Sequence, residues 1–121
     1  MAYPYEPPSQ NKFVTVNMAD VGAAASAYIA PGFDGRIKRI TGVVFSAITG
    51  ANSVVTTKIG GTAVTNGVLT VLLSGAAAGN VSQAIPSGLN VFTAGQAIEF
   101  ASDGGATNSA VFAITCELEP V

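Results

Sequence analysis

The sequence predicts an all-β chain: a single-domain β-sandwich of jelly-roll type, preceded by an extended proline-rich N-terminal arm. Three observations predict it. Short runs of Val, Ile, Leu, Phe and Thr follow one another at close spacing, and Gly, Pro and Asn punctuate them. No segment sustains the 3.6-residue apolar period of a helix. About eight such runs in roughly 110 residues suit two packed sheets. The 121 residues make one arm, 1–12, and one domain, 13–121, with no second core.

Residues 1–12 carry Pro4, Pro7 and Pro8, which favour extended backbone and donate no ladder bonds. Fully extended, they would reach roughly 40 Å. The segment is either an untethered chain end or an arm lying on a neighbouring subunit, with Tyr3 and Tyr5 as large-area anchors. Phe13 to Met18 alternates, turning Val14, Val16 and Met18 to one side. Ala19 to Ala25 contains Gly22 and no cap, so no lasting helix is expected there. Ala27 to Ala30 is a strand closed by Pro31-Gly32.

Arg36 to Ile48 is the longest β-type run, with Gly42 marking a bulge or bend. Gly50-Ala51-Asn52 turns the chain into a strand from Val54 to Ile59, which Gly60-Gly61 interrupts. Asn66-Gly67 reads as the hairpin turn between Ala63-Val64 and Val68–Leu73, because both its residues tolerate positive φ. Val68 to Leu73 is apolar on both faces, which predicts a central strand covered on both sides. Short strands follow at Val81–Ile85, Leu89–Phe92 and Gln96–Phe100. Asp103-Gly104-Gly105 makes a turn, and Asn108 to Leu118 closes the chain with Phe112, Ile114, Cys116 and Leu118 on one face.

Composition excludes much chemistry. There is no histidine, which removes imidazole catalysis and histidine-ligated metals. Cys116 is alone and expected to be an inert core residue, with no intrachain disulfide or thiolate cage open to it. Glu99 and Glu117 are the carboxylates that paired strands would bring together, but each sits at an outward position and reads as solvated. No catalytic, cofactor-binding or metal-ligating residue is assigned, and the chain is expected not to be an enzyme. A net charge of −2 gives nucleic acid no electrostatic purchase. No run of 18 apolar residues exists and the proline-rich start is no signal sequence, so no membrane partner is expected.

Charge is scarce and unevenly placed. Charged residues are 10% of the chain, against about 25% in ordinary domains. From Ile59 to Ile98 there is no Asp, Glu, Lys or Arg. That stretch is either a neutral Thr/Ser/Asn/Gln surface or one buried against sister chains or another protein. Arg36, Lys38 and Arg39 hold three of the five cations. Alternation sets Arg36 and Lys38 on one face and Arg39 on the other unless a bulge intervenes. The cluster is either a solvated, protected edge or a docking surface for an acidic protein.

The run Lys58 to Gly67 followed by a Val/Leu strand resembles small virion proteins of tailed bacteriophages. So do Ala78 to Val81, Leu89 to Glu99 and Ser102 to Gly105. The likeness covers about half the chain, from Lys58 to roughly Leu118, and is closest to head decoration, or cement, proteins. Gln96 stands where that pattern often has an acidic residue. The resemblance implies a β-sandwich or jelly roll, usually a homotrimer, that clamps the major capsid protein of the phage shell from outside. It implies no cofactor, and synthesis in the host cytoplasm. The expected shell-facing residues are Tyr3, Pro4, Tyr5, Pro7, Pro8, Arg36, Lys38 and Arg39, with the charge-free stretch in the trimer core. A phage tail or fibre protein is the alternative. A carbohydrate- or receptor-binding module is a further one, poorly served by a chain with no Trp and only Tyr28 beyond the arm.

Overall fold

A computed structural model describes residues 10–121, which form nine strands and no helix. The strands are β1 (Lys12–Met18), β2 (Ser26–Ile29), β3 (Gly35–Val44), β4 (Ser53–Ile59) and β5 (Thr62–Val71). They continue as β6 (Val81–Ala84), β7 (Val91–Phe92), β8 (Ile98–Ser102) and β9 (Phe112–Pro120). Their pairing is that of one long hairpin, wound up. β4 and β5 meet at its tip, then β3 pairs with β6, β2 with β8, and β1 with β9, all antiparallel. Winding sets β3 against β9 and β4 against β8. Two sheets result, β1-β9-β3-β6 and β2-β8-β4-β5, with β7 beside β3. With the two-residue β7 set aside, this is the eight-strand order of a jelly roll.

The core lies between the sheets and follows from period-2 alternation. Phe112, Ile114, Cys116 and Leu118 of β9 are fully buried, as are Ile37 and Ile40 of β3 and Ile98 and Phe100 of β8. The predicted face of β9 is therefore correct, although the strand starts at Phe112 rather than Asn108. Asn108 instead ties a crossing: its side chain accepts from the Thr49 N–H and donates to the Ala47 carbonyl. β3 likewise stops at Val44 and not Ile48, because the chain there leaves one sheet for the other.

Four local expectations change. Gly42 marks no bulge; the tip of the Phe112 ring lies against it, and a Cβ would overlap that ring. The β3 bulge falls at Lys38, where the register against β9 shifts between Ile37 and Arg39. Gly60-Gly61 is the hairpin turn, with φ of 59° and 81° joining the Ile59↔Thr62 pair, as a two-residue type I′ loop requires. Asn66-Gly67 lies inside β5 as a bulge: Thr56 pairs with Val68 and Lys58 with Ala63, leaving Val64 to Gly67 opposite Thr57. Asn66 takes the positive φ, 59°, that its sequence signal advertised. Finally, β5 is an edge strand, and Val68, Leu72 and Leu73 are exposed rather than covered.

Candidate protein-interaction surface

The outward face of the β1-β9-β3-β6 sheet gathers the predicted cation cluster and its partners. Arg36, Lys38 and Arg39 all point to solvent, because the bulge that would override simple alternation is present and inserts one extra residue. β9 supplies the counter-charges. Arg36 Nη2 lies 3.0 Å from Glu119 Oε1, Lys38 Nζ lies 3.9 Å from the same oxygen, and Arg39 Nε lies 4.0 Å from Glu117 Oε1. These side chains remain a quarter to a half exposed, so each pair contributes only about 0–1 kcal/mol to the fold. The cluster is thus a ladder of three cations partly offset by two carboxylates, not a bare basic patch.

Next to the ladder runs a neutral row. Register places Thr15, Thr115, Thr41 and Gln83 side by side across four strands. The Thr15 and Thr115 hydroxyls bond at 3.0 Å, and the Gln83 amide donates to Thr41 Oγ1 at 3.3 Å. At the β1 end Phe13 is 68% exposed and forms one wall of a shallow groove of about 150 Å³ with Arg39, Thr41, Thr115 and Glu117.

Tyr3, Pro4, Tyr5, Pro7 and Pro8 lie outside the described residues. β1 already begins at Lys12, and the Asn11 amide donates to Glu117 Oε2 at 2.7 Å, so the ordered sheet extends to the end of the segment read as an arm. Glu99 and Glu117 are not neighbours on paired strands: they lie in different sheets, opposite Lys58 and Arg39 respectively. Glu99 accepts from Ser26 Oγ at 2.6 Å. Asp20 is held below its ordinary range, first by the Gly22 N–H and further by Ala110 N–H and Ser109, and it pins the β1–β2 loop to the start of β9. Burial pushes the Cys116 thiol up to about 12, leaving it a core group without nucleophilic character.

Sequence reasoning marked a second surface without resolving which side chains form it. Val68, Leu72, Leu73, Val81, Ile85, Leu89 and Val91 are all exposed, and all fall within the charge-free stretch. The absence of charge marked the segment, but only the edge positions of β5 and β6 show which of its side chains face outward.

No family model matches the chain, and no curated protein matches it. Among solved structures, a chain of the "Cyanophage Pam1 capsid asymmetric unit" is similar over 100% of this chain and 93% of that one, with a TM-score of 0.57 and 16% identity. At that identity the likeness is one of fold. A CocE/NonD family hydrolase from Staphylococcus aureus aligns with a TM-score of 0.47 and 10% identity, over 94% of this chain and 36% of the hydrolase. The carbohydrate-binding module CBM36, in complex with calcium and xylotriose, aligns at 0.33 and 15%, over 93% and 75%.

Proposed function

We propose that this chain is a non-enzymatic virion protein that decorates the outside of a phage capsid as a homotrimer and braces it by binding across major capsid protein subunits. The observation that carries the proposal is the end-to-end fold likeness to a chain of a phage capsid, which leaves almost nothing of either chain unaccounted for. The outward face of the β1-β9-β3-β6 sheet is the shell-facing surface in this proposal. Phe13 supplies apolar area there, the hydroxyl row supplies neutral hydrogen-bonding groups, and the Arg/Glu ladder supplies paired charges that can exchange partners. Each contact is weak alone. Three linked copies multiply them, and avidity of about 10²–10⁴-fold over a single site suits a clamp on a repeating lattice. Residues 1–9 would extend the reach beyond the sheet.

Purified protein mixed with capsids that lack it, followed by co-sedimentation, tests the proposal. Saturable binding to heads is expected, reduced by Phe13→Ser and by removal of residues 1–9. Binding to tails or fibres instead of heads would move the protein to the alternative, a tail or fibre component.

A further inference from the structure

We infer that copies of this chain join edge to edge: the β6–β7 edge of one sandwich, anchored by Leu89, seats in the groove between β1 and β2 of the next. The inference deepens the homotrimer in the function proposed above and rests on that part of it alone.

Leu89 carries two penalties at once. Its φ is 53°, in the left-handed region that a residue with a Cβ avoids, and its apolar side chain is 66% exposed. Neither serves the isolated sandwich. The backbone on both sides is nevertheless clamped. Ser87 N–H donates to the Thr65 carbonyl at 3.0 Å, and Thr65 N–H to the Gly88 carbonyl at 2.9 Å. Ile37 N–H donates to the Asn90 carbonyl at 2.9 Å, while the Asn90 amide returns a bond to the Ile37 carbonyl at 2.8 Å. Anchored to β5 on one side and β3 on the other, Leu89 is presented as a rigid knob. Strain held in place by its surroundings, at an exposed apolar side chain, marks a pre-organised contact.

The neighbours extend it. Val81, Ile85 and Val91 are exposed at the β6–β7 margin of the outward sheet face, and Leu72 shares a groove with Val81 at the end of β5. Together these five side chains offer on the order of 500 Å², the upper range for the largest patch on a monomer and over half the roughly 800 Å² that each partner of a stable interface buries. Two cations border the patch on its inner side: Ile85 shares a shallow groove with Arg36 and Lys38, and Val91 pairs with Arg36.

The opposite edge is concave. Where β1 and β2 adjoin, a groove of about 480 Å³ is lined by Val16, Met18, Ala23, Ala25, Ala27 and Tyr28, among others. Asp20, the charged residue in its lining, has its carboxylate occupied by Gly22, Ala110 and Ser109. Alanines make room for branched side chains, and Leu89, the apolar tip of the knob, meets a nearly uncharged groove. The knob and groove lie on different edges of one molecule, so the contact is heterologous and propagates head to tail until it closes into a ring. A two-fold pairing of the β6–β7 edge with itself would set knob against knob.

Sedimentation velocity of three proteins tests this: wild type, the knob variant Leu89→Gly/Ile85→Ser, and the groove variant Ala25→Arg. Tyr28→Lys serves as a second groove variant, and circular dichroism verifies that each is folded. Wild type should sediment at three times the 12.1 kDa chain mass, and each variant as a monomer. An equimolar mixture of knob and groove variants should form a two-chain complex and nothing larger, because one partner keeps the knob and the other the groove. A monomeric wild type, folded variants that still form the full oligomer, or a mixture that stays monomeric would each overturn the inference. Binding to heads is read separately. A monomer that still binds capsids removes the ring and leaves the capsid proposal standing, and an oligomer that ignores capsids does the reverse.

Discussion

Gly42 shows how one missing side chain makes room for a core ring. The Phe112 ring of β9 occupies the space a Cβ would take on β3, so the ring packs directly over the β3 backbone at that point. Gly42→Ala should cost about 2–3 kcal/mol, the upper range for overpacking a close-fitted core, read as a lowered urea midpoint with unchanged slope. A loss below about 0.5 kcal/mol would mean that Phe112 is free to move aside. From sequence alone Gly42 looked like a bulge because a glycine within a strand signals either a bulge or a close approach, and only the packing partner separates them. Leu89 was invisible for a similar reason: nothing in the residue type announces a positive φ, which here is imposed by hydrogen bonds from two distant strands.

At the scale of elements, the strands that alternate strictly were legible. β1 and β9 each turn one apolar face inward, as their residues dictate, and Phe112, Ile114, Cys116 and Leu118 were identifiable as core without a structure. β5 was not, because an apolar run on both faces describes equally a central strand and an edge strand whose outer face awaits a partner. Asn66-Gly67 carried a signal for positive φ that Asn66 alone meets, because a bulge here demands it at one residue where a type I′ hairpin demands it at both. The cation cluster was found, but its geometry depended on a bulge at Lys38 that is decided by pairing with β9 rather than by local sequence. Half-exposed ion pairs contribute little to folding, so Glu117→Gln/Glu119→Gln should destabilise the isolated protein by less than about 1 kcal/mol. In the function proposed here the same change leaves three cations unneutralised on the shell-facing sheet, and capsid binding should become markedly more salt-dependent. A large loss of stability would show instead that the ladder is structural.

At the scale of the whole molecule, a wound hairpin of short strands leaves two lateral edges and two broad faces, and each apolar or polar group outside the core must answer to one of them. The proposals above give one broad face to a shell and the two edges to sister copies, which accounts for a chain so poor in charge across Ile59–Ile98 yet well able to form a full core. Imaging of the assembled phage particle by cryo-electron microscopy tests that division most directly. Rings of this jelly roll on the outer surface of the head are expected, with the β1-β9-β3-β6 face turned to the shell and Leu89 buried between copies. Single copies with Leu89 open to solvent, or density confined to the tail, would contradict it.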